Sequence, residues 1–282
     1  MGFTLTADGG FSLGAAAAFA RGFPGTEAQS GSDTMSFAWP VDGDWTTARV
    51  ELRQVGERIE GDIADSPSPD LASRVRRDVE RILCLDVDGS GYTKLAERDP
   101  VVAGLQKQFP GLRPVLFYTP YEAAAWCIIG QRIRTTQAVA IKRHLADELG
   151  QGGAFPAPAR LAQLTAPFAG LTEKKVDQLR QLAAAALDGA LDRDQLRSLP
   201  YDEAGARLQQ LPGIGPFSTE LIMIRGVGVP DAFPEHEQRL QRAIRDAYGL
   251  PEGADTATAA EGCRPYRSWV GLLLRASSAR TS

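Results

Sequence analysis

The stretch YEAAAWCIIG, residues 121–130, is apolar nearly all the way round a helix. A helix without a polar face cannot lie on a surface, so other elements have to surround it. The chain after Pro120 meets that demand. Alternating apolar and polar residues are almost absent there, and Gly and Pro punctuate a series of short helical segments at 158–164, 172–187, 192–198 and 202–210. Thr172, followed by two charged residues and then by Val176, Leu179, Leu182 and Ala183, gives one of these a capped start and an apolar face. The second half reads as all helical.

Residues 34–64 read differently. MSFAWPV, TTARVELRQV and ERIEGDIA are rich in β-branched and aromatic residues, with turn signals at Asp42-Gly43-Asp44 and near Gly56, and they predict a small antiparallel sheet. A short helix over 11–23 precedes it. After Ser66-Pro67-Ser68-Pro69 comes a second helix, Asp70 to Leu85, with Leu71, Val75, Val79 and Ile82 on one side. Pro110-Gly111-Leu112-Arg113-Pro114 supplies a turn between the halves, so the expected division is an α+β module over 1–112 and a helical unit over 113–282.

Composition narrows the function classes. A chain of 282 residues with 43% hydrophobic and 23% charged content can bury a real core. No stretch approaches the roughly 18 apolar residues of a spanning helix. The N-terminus lacks the basic region a secretory leader needs, so a soluble cytoplasmic protein is expected. Cys84, Cys127 and Cys263 lie too far apart for a disulfide framework or a metal cluster and read as buried thiols, and two histidines are too few for a histidine-rich metal site. Net charge is −4, but residues 1–70 hold 4 Lys/Arg against 11 Asp/Glu, leaving 27 against 24 in the rest. Arg132, Arg134, Lys142 and Arg143 fall in a run free of acids; Arg239, Arg242 and Arg245, then Arg264, Arg267, Arg275 and Arg280, form further groups. Such clusters are either solvated helix faces or a surface for a polyanion.

The most informative segment is LPGIGPFSTELIMIRGVGVPDAFPEHEQRL, residues 211–240. Gly213 and Gly215 allow positive φ and close backbone approach, and Pro216 suits a first helical turn. A Gly-x-Gly turn before a helix presents main-chain N–H groups to a phosphate oxygen. Leu211-Pro212-Gly213-Ile214-Gly215 between two short helices resembles the hairpin of the helix-hairpin-helix motif, which grips the nucleic-acid backbone without reading sequence. The wider chain resembles the helix-hairpin-helix DNA glycosylase superfamily, in its 3-methyladenine DNA glycosylase II branch. The matching segments are RILCLDVDG (81–89), PGLRPV (110–115), TPYEAAAWCIIGQRI (119–133), GLTEKKVDQL (170–179) and RPYRSW (264–269), in the expected order.

The resemblance implies a mainly α fold, with a helical core of two subdomains behind an N-terminal α+β module carrying a small antiparallel sheet. It implies a monomeric, nucleoid-associated base excision repair enzyme that acts on double-stranded DNA with damaged, alkylated bases and needs no cofactor. Glu237 stands where the family has its catalytic aspartate, one methylene longer; Asp231 and Glu235 are the neighbouring acids, and His236 is a polar neighbour. Phe217 stands where lyase-competent relatives carry a lysine, so no Schiff base can form and a monofunctional glycosylase is implied. Phe217 is otherwise a core aromatic in register with Leu221 and Ile224. Gln131 and Arg132 follow the buried helix, where the corresponding turn in this branch supplies the element that enters the gap left by an everted base. Leu221 and Arg275 occupy positions where this branch builds an aromatic pocket; a less aromatic pocket stacks a cationic base less well, and an arginine would repel one. Gly213, Ile214, Gly215, Phe217, Ser218 and Thr219 are the implied DNA contacts, and the main-chain carbonyls of Gln209, Leu211 and Ile214 the implied ligands of a structural Na+ or K+. A DNA-binding or lesion-sensing protein on the same scaffold, with weak or lost catalysis, is the alternative.

Overall fold

Alternation builds the sheet, and burial on one face shows why. The computed structural model describes residues 1–22, 29–31, 33–65 and 68–280; Phe23 at the end of the expected first helix, and Ser66-Pro67 of the expected linker, lie outside the described residues. The strands are β1 (Gly2–Thr6), β2 (Gln29–Ser30), β3 (Thr34–Pro40), β4 (Thr47–Val55) and β5 (Arg58–Ile63), in the antiparallel order β1-β5-β4-β3-β2. Val55 pairs with Arg58 across a two-residue turn in which Gly56 has φ +62°, a hairpin that favours positive φ. Met35, Phe37, Trp39, Val50, Leu52, Ile59 and Ile63 point to one side, where they share an apolar cluster with α1 (Leu13–Gly22) and α2 (Pro69–Ile82). Two strands were not expected. β1 buries only Leu5 completely, and β2 is two residues long, so neither carries a readable period.

The connection to the helical part runs through α3 (Ser90–Lys94) and α4 (Pro100–Gln108). Then α5 (Pro120–Gly130) runs through the middle of the second core with only Trp126 and Gly130 incompletely buried. It is packed by α6 (Thr135–Leu149), α8 (Glu173–Leu187) and the segment Ile222–Val227. α7 (Pro158–Leu161), α9 (Arg193–Ser198) and α10 (Tyr201–Leu208) complete this lobe. Thr172 caps α8 by accepting the Lys175 N–H, and Asp192 caps α9 by accepting the Gln195 N–H, as their positions before apolar runs predict. α11 (Pro216–Leu221) continues into the Ile222–Val227 segment as a π turn. The chain ends in α12 (Gln238–Tyr248), α13 (Thr256–Ala260) and α14 (Arg267–Arg280).

The side chains sort into two cores. One holds residues 117–227; the other joins the sheet module to Leu240, Ile244, Cys263, Trp269 and Leu273 of the C-terminal helices. The cut at 112/113 therefore separates two kinds of secondary structure, while the packing returns α12 and α14 to the N-terminal module. Arg193, fully buried, ties the cores together. Its Nη2 and Nε donate to the carbonyls of Tyr118 and Gly226 at 2.8 and 3.1 Å, its main-chain N–H reaches Asp42 at 3.2 Å, and its Nη1 lies 3.6 Å from Asp78. Trp39 Nε1 donates to the same Asp78 at 3.0 Å. The three cysteines are buried and free. Among the described residues no helix is long and apolar enough to cross a membrane.

Candidate active site

The hairpin between α10 and α11 is fixed from behind. Gly213 has φ +89°, a conformation that calls for glycine, and a Cβ there would sit 2.6 Å from the end of the Gln178 side chain, which would have to move. Gln131 Nε2 donates to the Gly213 carbonyl at 2.6 Å. Lys175, buried on α8, donates to the carbonyls of Ile129 and Gln131, each at 2.8 Å, and so closes the C-terminus of α5; burial lowers its ammonium below the ordinary lysine range. The end of α5 and the hairpin thus form one unit. Arg132 stands beside it, exposed, with φ +56°. That left-handed conformation costs a non-glycine residue about 1–2 kcal/mol, and strain of this kind collects at functional turns.

Two implied DNA contacts have to be corrected at the start of α11. Thr219 is buried and gives both its N–H and its hydroxyl to the Gly215 carbonyl, at 2.9 and 3.0 Å, so it has nothing left to offer a phosphate. The Ser218 side chain is buried as well. Its main-chain N–H is one of the unpaired donors of a first helical turn. Phe217 is the outward residue, 44% exposed.

A cleft of about 120 Å3 opens between the lobes. One wall is Phe217, Glu220, Leu221, Ile224 and Arg225; the other is Pro234, Glu237, Leu240, Ser268, Gly271, Leu272 and Arg275. Phe217, Leu221, Glu237 and Arg275 are therefore brought together, whereas Gln131 and Arg132 stand on the hairpin side and outside this lining. Glu237 is half-buried and caps α12: its Oε1 accepts the Arg239 N–H at 3.0 Å, and its Oε2 accepts nothing among the described residues. Arg275 Nη1 donates to Ser278 Oγ at 3.1 Å, with no carboxylate within 4.0 Å among the described residues. Arg225 is buried, donates to the Val115 carbonyl at 2.8 Å and lies 5.5 Å from the rings of Phe19 and Phe117; burial pulls it down to about 10.

The neighbouring acids have other duties. Asp231 is bound by Arg264 at 2.6 Å and Arg267 at 2.7 Å, which anchors the loop before α12. Ser268 Oγ both accepts the Ala232 N–H and donates to the Ala232 carbonyl. Glu235 is exposed. Sequence reasoning missed Glu220, a carboxylate only 9% exposed that accepts the N–H groups of Glu235 and His236 and the His236 ring. The one local hint was an acid inside the apolar run LIMI and its neighbours.

Known proteins resemble the chain in sequence and in fold. No family model matches the chain. A DNA-3-methyladenine glycosylase of Bacillus subtilis is 25% identical over 196 residues, covering 66% of this chain and 65% of that protein. A probable bifunctional transcriptional activator/DNA repair enzyme AlkA of Mycobacterium tuberculosis is 26% identical over 236 residues, 80% of this chain and 47% of the relative. The chain thus spans less than two thirds of the length of either. A 3-methyladenine DNA-glycosylase from Archaeoglobus fulgidus superposes with a TM-score of 0.77 over 99% of both chains at 19% identity. The chain is thus similar in sequence to DNA-3-methyladenine glycosylases and shares its fold with the Archaeoglobus fulgidus protein. In this fold the hairpin is Leu211–Gly215, and Glu237, just before α12, lines the cleft together with Phe217 of the helix that follows the hairpin.

Proposed function

We propose that this chain is a monofunctional DNA glycosylase of base excision repair that hydrolyses the N-glycosidic bond of a damaged, alkylated purine turned out of duplex DNA. The observation that carries the reading is the Glu237 carboxylate, with one oxygen uncommitted, lining a cleft between the lobes beside the hairpin. As the bond from C1′ to the base nitrogen lengthens, its electron pair leaves with the base and positive charge develops on the sugar. A fixed anion in a partly desolvated cleft stabilises that charge better than water does. Water then adds to C1′, oriented by the same carboxylate.

The rest of the machinery holds the DNA. The N–H groups at Gly213, Gly215, Phe217 and Ser218 suit a phosphate, whereas that of Ile214 is spent on the Leu211 carbonyl; Arg132 and Gln131 suit the gap in the stack, and Phe217 the face of the everted base. Phe217 has no amine, so the sugar forms no covalent intermediate and the strand stays uncut. A structural Na+ or K+ suits the carbonyls of Gln209, Leu211 and Ile214, since the Leu211 carbonyl spends only one lone pair, on the Ile214 N–H at 3.1 Å. The enzyme works as a monomer on DNA in the cytoplasm.

The test is to incubate the protein with duplexes carrying methylated purines, hypoxanthine or uracil, and then to treat them with alkali. Strand breaks that vanish in Glu237→Gln are the expected result. Salt-dependent binding without breaks on every lesion would overturn catalysis.

A further inference from the structure

Two carboxylates line the cleft, and their bonding states are opposite. Glu237 has one hydrogen bond, from the Arg239 N–H. Glu220 is engaged through both oxygens: Oε1 accepts the Glu235 N–H at 2.9 Å and meets His236 Nδ1 at 2.7 Å, while Oε2 accepts the His236 N–H at 3.0 Å. Such a carboxylate is held in place by its partners rather than aimed at the open cleft. Its partners are instead the two residues that immediately precede Glu237, and fixing the His236 N–H leaves a single residue's rotations between anchor and acid.

The anchor also crosses the cleft. Glu220 stands on α11, whose first turn carries the hairpin, whereas Glu235 and His236 belong to the loop that enters α12 and the other core. Other bonds restrain this loop from its own side: Ser268 holds Ala232, and Gln241 donates to the Glu235 carbonyl. Among the described residues Glu220 is the one side chain that bonds residues 235–236 from the hairpin lobe. A helix that grips the phosphate backbone is thereby tied directly to the strand of chain that carries the acid.

We infer that Glu220 is the positioning residue of this site: it sets the distance between the DNA-holding hairpin and the Glu237 carboxylate. The inference rests on the glycosylase reading above, and it assigns no chemistry to Glu220 itself. Removing the anchor should leave DNA binding intact and misplace the acid. Displacement of about 1 Å from a productive geometry costs on the order of 100-fold in rate.

Two readouts on Glu220→Gln test it: amide hydrogen exchange at Glu235 and His236, and single-turnover excision beside thermal midpoint and affinity for an abasic duplex. The expected result is faster exchange and about 100-fold slower excision, with affinity and thermal midpoint nearly unchanged. His236→Ala, which removes only the ring contact at the surface, should shift both readouts the same way by less, and it serves if Glu220→Gln does not fold. Unchanged exchange in both variants would overturn the anchor. Faster exchange with undiminished excision, in a protein that Glu237→Gln inactivates, would overturn the positioning role. Wild-type protein that excises no lesion at all would instead overturn the glycosylase reading, and the positioning role with it.

Discussion

The seam around Arg193 and the cleft around Glu237 both bring charge to the boundary between the two cores, and they treat it in opposite ways. At the seam the guanidinium is fully buried and meets two carbonyls and Asp78, and its own main chain meets Asp42. In the cleft, among the described residues, Glu237 keeps an oxygen free and Arg275 has only a serine hydroxyl as a partner. Charge used to hold structure is compensated; charge available for chemistry is left incomplete and half-exposed. Glu220 lies between these cases, compensated like the seam and placed in the cleft.

The comparison can be broken first at the seam. Arg193→Ala should lower unfolding free energy by about 3–5 kcal/mol, because Asp78 is left buried without its counter-charge; urea unfolding measures it. Excision per folded molecule should stay the same, and a large loss there would mean that the seam takes part in the chemistry. The reverse pattern belongs to Glu237→Gln. Losing the anion should reduce excision by about 100–1000-fold, with the urea midpoint little changed, since the glutamine oxygen can still accept the Arg239 N–H.

Arg132 sharpens the contrast from a third direction. Arg132→Gly removes the strain of a left-handed arginine but gives the unfolded chain more freedom, so stability should stay within about 1 kcal/mol. DNA binding should weaken, and the slope of log affinity against log salt should fall by about 1. The smallest effect is expected at Asp42, which burial pushes up to about 6 despite Arg193 beside it. A carboxyl whose folded value is raised contributes stability that is present below its unfolded value and lost as pH rises through the folded one. Between about pH 4 and 6, wild-type protein should therefore lose about 5 °C relative to Asp42→Asn, read by thermal melts at each pH.

What could be read in advance was local. Thr172 and Asp192 announce their helices because a cap and the apolar spacing behind it lie within one turn or two. YEAAAWCIIG announces a central helix because it has no other face to offer. The cleft was legible as far as single positions carry it: Glu237, Phe217, Leu221 and Arg275 do converge. Thr219 was misread because the hairpin pattern says where N–H groups begin, not which of them the Gly215 carbonyl has already taken. Glu220 was invisible because its meaning depends on residues 15 and 16 positions away. The allegiance of α12 and α14 to the N-terminal core was hidden for the same reason, since helical periodicity shows that a face is apolar without showing what will cover it.

That return of the last helices has a consequence for synthesis. One wall of the cleft comes from residues 217–225 and the opposite wall reaches Arg275, while the core that supports the second wall needs residues from both ends of the chain. A polypeptide still emerging from the ribosome can complete the 117–227 core and its hairpin well before it owns a second wall. The hairpin is thus complete before the wall opposite it, and Glu237 gains its packed surroundings only when α14 has joined the N-terminal module.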